Sequence, residues 1–190
     1  GRPEIDASEI GYLGHSEGGY IAPIAAQQTE PAFMVFLAGA ARPLLPDVIT
    51  TQTVDIMQAQ GADQALIDVA VTQYQVGSRI LGQQAALSDI RDDLDTYLVS
   101  QGLGRRDRND LLDFFATRWG ISYANHDPRV ALRALANPVL ALFGEKDLQV
   151  SAAEEAPVMR SALPHPRSQV EVIAGANHLF QPAQTGLPSE

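Results

Sequence analysis

The sequence predicts an α/β protein: a mostly parallel sheet interrupted by one long helical insertion. Three observations lead there. Residues 32–38 (AFMVFLA) and 138–143 (PVLALF) are short, unbroken apolar runs, the pattern of strands covered on both faces. Such runs alternate with helix-like segments, which implies parallel pairing through right-handed crossovers. Between two of them, from 44 to 126, the pattern changes to helical period and stays there.

Residues 9–15 (EIGYLGH) read as a short buried strand, and 17–28 (EGGYIAPIAAQQ) as a helix with an apolar face, Pro23 falling early enough to be tolerated. The strand at 32–38 follows, then Gly39 and Pro43. The stretch 44–126 carries Leu66, Ile67, Val69, Val71, Tyr74 and Val76 between polar positions and predicts three or four helices. From 128 (PRVALRALA) a short helix leads into the strand 138–143 and the turn GEKD. A helix at 152–162, a strand at 168–173 (SQVEVI) and the loop GANHLF complete the series. The expected organisation is a core built from 1–43 and 127–190, with 44–126 as a cap or lid over the strand ends.

The chain has 190 residues, 45% of them apolar and only 19% charged, enough to bury a core and unlike a disordered chain. A net charge of -10 disfavours a nucleic-acid partner. The basic cluster Arg105, Arg106 and Arg108 is interleaved with Asp107 and Asp110 beside Gly102 and Gly104, and reads as a solvated turn. Zero cysteines exclude disulfides, thiolate metal sites and a cysteine nucleophile. No run of about 18 apolar residues predicts a membrane span. No signal peptide opens the chain, yet Gly1 stands where a start Met would, so an upstream segment is expected and the compartment, cytoplasmic or exported, stays open.

Gly14-His15-Ser16-Glu17-Gly18-Gly19 matches G-x-S-x-G between a strand and a helix, a sharp turn that exposes a serine hydroxyl at the sheet edge. Gly14 and Gly18 are expected to relieve clashes across the turn, and Gly19 to let the helix approach the strand. A phosphate-binding loop would end in G-K-[ST], and this segment has no lysine. Serine is a weak nucleophile until a histidine takes its proton and a carboxylate orients that histidine. Asp147, in GEKD after one strand, and His178, in GANH after the next, supply both in the order serine, acid, histidine. Glu145 competes for the acid, but Asp147 lies further past the strand, where a loop carboxylate can swing toward the histidine. Among the other histidines, His15 reads as a support residue beside the nucleophile. His126 makes a local hydrogen bond or faces substrate, and His165, between two prolines, sits on a surface turn. No H-x-x-x-H or H-E-x-x-H spacing occurs, so neither a metal nor any other cofactor is expected. Phe114, Phe115, Trp119 and Tyr123 read as cap core in preference to an acyl-pocket wall.

On GHSEGGYIAP at 14–23, HDPRVALRALANPVLALFGEKDLQV at 126–150 and GANHLFQPAQTG at 175–186, the chain resembles the α/β-hydrolase superfamily. The likeness is to bacterial esterases of the dienelactone-hydrolase and prolyl-oligopeptidase-like branch, and the middle of the chain shares only position and helical character. The resemblance implies a sheet of about eight strands, of which these four are strands five to eight. It also implies one oxyanion donor at the backbone N–H of Glu17 and a second on a loop outside this chain. The implied reaction is hydrolysis of a small-molecule ester through an acyl-enzyme, with a peptidase, an acyltransferase or a non-catalytic binding protein as alternatives.

Overall fold

The computed structural model describes residues 2, 4–82 and 87–190. A short 3-10 turn, Ala7–Glu9, precedes β1 (Tyr12–His15), α1 (Glu17–Thr29) and β2 (Met34–Leu37). A π-helical turn at Leu44–Ile49 runs into α2 (Thr50–Ala59), followed by α3 (Gln64–Leu81), α4 (Leu87–Ser100), α5 (Arg105–Phe115) and α6 (Arg118–Asn125). Then come α7 (Pro128–Arg133), β3 (Val139–Gly144), α8 (Ala152–Ala162) and β4 (Gln169–Ile173). The chain divides into two compact units, Gly1–Arg42 with Asp127–Glu190, and Pro43–His126.

In the first unit all four strands pair in parallel, in the order β1-β2-β3-β4. Register pairs Tyr12 with Met34 and Met34 with Val139, so alternate residues of the apolar runs share a face. Met34, Phe36, Val139, Ala141 and Phe143 are fully buried. Helix α1 packs on β1 and β2, α8 on β3 and β4, and α7 touches both helices. The opposite face, with Val35 and Leu140 half-buried, ends at β1 in Leu13, which is 69% exposed.

The first strand is shorter than its apolar pattern predicts. Asp6 accepts hydrogen bonds from the Ser8 amide (2.9 Å) and hydroxyl (2.6 Å), which turns residues 7–9 and postpones extension to Tyr12. Helix α1 runs through Pro23 at its middle rather than near its start, so one internal hydrogen bond is forgone in a fully buried stretch.

Glu155 of α8 is completely buried, yet every contact it makes is charge-satisfying. One carboxylate oxygen accepts the amides of Ala41 (2.7 Å) and Arg42 (3.1 Å), and the other accepts Arg42 Nε (2.7 Å). This fixes the segment leaving β2 to the helix that follows β3.

The second unit holds five α-helices among its described residues, against the three or four expected, because short connections around Gly61 and Gly102, both at positive φ, divide it more often. Its core gathers Leu81, Ile90, Leu94, Leu98, Leu112 and Ala124. Asp63 caps α3 through the Leu66 amide (2.9 Å) and Thr117 caps α6 through that of Gly120 (2.9 Å). The arginine cluster is not a turn. It forms the first turn of α5 behind an extended Gly104, because Leu111, Leu112 and Phe115 give that segment a helical apolar stripe, and Arg108 pairs with Asp95 at 2.9 Å. Phe115 packs on the core, whereas Trp119 is about half exposed and tilts against Tyr123 at 5.8 Å. Among the described residues no helix is long and apolar enough to cross a membrane.

Removing one partner of a buried ion pair leaves the other uncompensated, so Glu155→Ala is expected to destabilise the protein by about 3–5 kcal/mol in urea denaturation. The exposed neighbour Glu154, which also meets Arg42 at 3.2 Å, should cost below about 1 kcal/mol on the same substitution. Equal effects from the two would contradict the role given to Glu155.

Candidate active site

Ser16 sits where β1 turns into α1, with φ 53° and ψ -116°, a conformation that costs a non-glycine residue about 1–3 kcal/mol and persists only when its surroundings impose it. Those surroundings are specific. The Ser16 amide donates to the Leu37 carbonyl of β2 at 2.7 Å, and the Ser16 carbonyl accepts the amides of Gly19 (3.0 Å) and Tyr20 (3.2 Å) to start the helix. A Cβ on Gly14 would lie 2.4 Å from the Gly18 backbone, and one on Gly19 would lie 2.8 Å from Gly39 Cα. Gly18 departs from the expectation, since a Cβ there meets nothing within 4 Å among the described residues. Its backbone, not its missing side chain, is what crowds the turn. Gly19 makes room both for its own strand, where a Cβ would lie 3.3 Å from the Gly14 carbonyl oxygen, and for Gly39 beyond β2. The Glu17 amide, first in α1, donates no hydrogen bond among the described residues and lies where the helix dipole favours negative charge.

Asp147 follows β3 and is buried. Its Oδ1 accepts the amides of Gln149 (2.8 Å) and Val150 (2.9 Å), while Oδ2 accepts His178 Nδ1–H at 2.8 Å. That bond fixes the tautomer, leaving His178 Nε2 as the free acceptor. Gly144 lets the two loops meet, for a Cβ there would lie 2.5 Å from the carbonyl oxygens of Ala176 and Asn177. Glu145 is exposed and turns elsewhere, accepting the Gly175 amide at 2.8 Å, so it braces the histidine loop without touching the imidazole.

Two neighbours hold His178 that sequence reasoning either missed or described only loosely. Buried Asn177 accepts the amides of Leu179 (3.0 Å) and Gln181 (3.1 Å), a local turn that N-H-L-F could have signalled. His15 Nε2–H donates to the His178 carbonyl at 2.9 Å, with ring centroids 4.8 Å apart. The residue immediately before Ser16 thus ties the loop of His178 to the sharp strand-to-helix turn at Ser16, the elbow. Among the described residues, no hydrogen bond joins the Ser16 hydroxyl to an imidazole. His165 accepts the Arg167 amide at 3.1 Å on a surface turn, and His126 stands at the end of α6 in the helical unit.

A sequence model of the family described as alpha/beta hydrolase fold matches residues 4–183. No curated protein matches significantly. Among solved structures, an alpha/beta hydrolase enzyme from the metagenome of sediments of the lagoon of Mar Chica, Morocco, is 17% identical with a TM-score of 0.46, over 90% of this chain and 53% of that one. A thermophilic esterase from Thermogutta terrifontis is 21% identical, TM-score 0.45, over 90% and 58%. A bromoperoxidase from Bacillus anthracis is 16% identical, TM-score 0.43, over 90% and 60%. The chain spans between about half and three-fifths of the length of these structures.

The glycines of the elbow should separate sharply on substitution. Gly14→Ala forces backbone apart and is expected to cost at least about 1–3 kcal/mol. Gly18→Ala, in open space near the start of a helix, should be neutral or stabilising by up to about 1 kcal/mol. Thermal unfolding of the two variants beside the parent checks the contrast.

Proposed function

This chain belongs to the alpha/beta hydrolase family, and from that premise we propose that it is a serine hydrolase cleaving carboxylic esters through an acyl-enzyme, with Ser16 as nucleophile, His178 as base and Asp147 as acid. The observation that carries the reading is the buried 2.8 Å bond from His178 Nδ1 to Asp147, tied by His15 to the strained turn at Ser16.

In the first half-reaction Ser16 Oγ attacks the ester carbonyl carbon and its proton passes to His178 Nε2. Asp147 stabilises the resulting imidazolium and keeps its orientation. The negative charge on the carbonyl oxygen meets the Glu17 amide at the N-terminus of α1. Collapse of the tetrahedral adduct breaks the C–O bond, and His178 returns the proton to the departing alcohol. In the second half, water attacks the acyl-serine, gives its proton to His178, and the carboxylic acid leaves as Ser16 recovers the proton. An open contact between serine and histidine fits this scheme, because catalytic hydrogen bonds in free enzymes are often long and tighten in the substrate complex.

The branch is that of dienelactone hydrolases and prolyl-oligopeptidase-like esterases, on the motif GHSEGGYIAP. The unit Pro43–His126, inserted between β2 and β3, serves as the cap. Strands from outside these residues complete the sheet beside β1, which the exposure of Leu13 supports, and bring the second oxyanion donor.

In the full-length protein, Ser16→Ala is expected to lower kcat on p-nitrophenyl esters by about 10⁴ or more and to abolish labelling by an organophosphonate. Asp147→Asn should cost about 10⁴ by presenting the wrong tautomer, while Glu145→Gln should cost little. Esterase activity that survives Ser16→Ala would overturn the assignment. Turnover of aminoacyl-proline amides with inert esters would move it to a peptidase.

A further inference from the structure

The helical unit contains a half-open cavity of about 400 Å³ among α3, α4 and α5, bordering its own apolar cluster. It falls within the size range of small-molecule sites, about 300–1,000 Å³. Its walls include Leu94, Leu98 and Phe115, with Tyr74, Tyr97 and Gln101 as polar members, and among the described residues none that lines it is charged. The Tyr97 ring lies against Gly77 so closely that a Cβ there would sit 2.7 Å from Cζ. A glycine inside a helix, here four residues before the end of α3, is unfavourable for the helix itself, and it is what seats the phenol. Burial, with Tyr74 beside it, pushes the Tyr97 phenol up from its ordinary value, so it stays neutral and able to donate.

We propose that this cavity is a binding site for an uncharged small molecule with an apolar body and one hydroxyl or carbonyl, the body filling the leucine and phenylalanine walls and the polar group pairing with Tyr74 or Tyr97. A charged ligand is disfavoured because no opposite charge among the described residues lines the cavity to offset its desolvation. The site lies wholly within Pro43–His126 and does not depend on the reading of Ser16.

Isothermal titration of the full-length protein with 1-naphthol tests this, with naphthalene and 1-naphthalenesulfonate alongside. Saturable binding of one 1-naphthol per chain is expected, with the sulfonate not bound. Tyr97→Phe should weaken 1-naphthol about three- to tenfold and leave naphthalene unchanged, since it removes one hydrogen bond and no volume. Leu98→Trp should fill the cavity and abolish binding of both. Ser78→Leu, on the α3 wall, is a second filling variant whose fold can be checked independently by circular dichroism. Ser16→Ala should bind 1-naphthol as the parent does, which separates failure here from failure of the hydrolase reading. Absence of saturable binding, binding that survives both filling variants, equal binding of the sulfonate, or equal loss of naphthol and naphthalene in Tyr97→Phe would overturn the proposal.

Discussion

Helix α1 must begin almost in contact with the strands it leaves, and the backbone meets backbone there with no side chain between. Gly14 faces the Gly18 backbone, and Gly19 faces Gly39. Only this closeness lets the chain reverse within one residue and hold Ser16 at positive φ. The rest of the site is registered to the same level. Ser16 donates to Leu37 of β2, Ala38 donates to Leu142 of β3 at 2.8 Å, and Glu145 donates to Ile173 of β4 at 3.0 Å. Because all four strands run in parallel, every loop that leaves a C-terminal end leaves on one edge, where α/β sheets bind their ligands.

Along that edge the loops of Asp147 and His178 are bound to each other. Asp147 has both oxygens occupied, so its carboxylate cannot rotate without breaking a bond to the Gln149 or Val150 amide or to the imidazole. His178 is held at the ring by Asp147 and at the carbonyl by His15, while Asn177 shapes the turn around it.

What could be read from the sequence was local. The elbow announces itself by glycine spacing, and each loop follows an apolar run short enough to be a strand, so the succession of elements at both ends of the chain was legible. The early turn at Asp6-Ala7-Ser8 was signalled by residues that favour such turns, yet the apolar pattern from Ile10 onward masked it. Likewise Leu111, Leu112 and Phe115 marked a helix that the charges of Arg105, Arg106 and Arg108 concealed. Glu155 could not have been found. Within its helix it looks like any acidic residue of the first turn, and its partner stands 113 residues away. Gly18 shows the reverse failure, a motif position whose glycine the visible packing does not demand.

The pairing of β2 with β3 joins residues about a hundred positions apart, with the whole of Pro43–His126 strung between them. Closing a flexible loop of that length costs about 4 kcal/mol of chain entropy before any contact rewards it. The helical unit strung between them has a core of its own, built from contacts nearer in sequence than the β2–β3 pairing, the kind that form early in folding. Order of assembly therefore enters the architecture. Forming the inserted unit first would shorten that tether, and the Arg42–Glu155 bond, whose partners stand on either side of the insertion in sequence, can close only when the two are brought together.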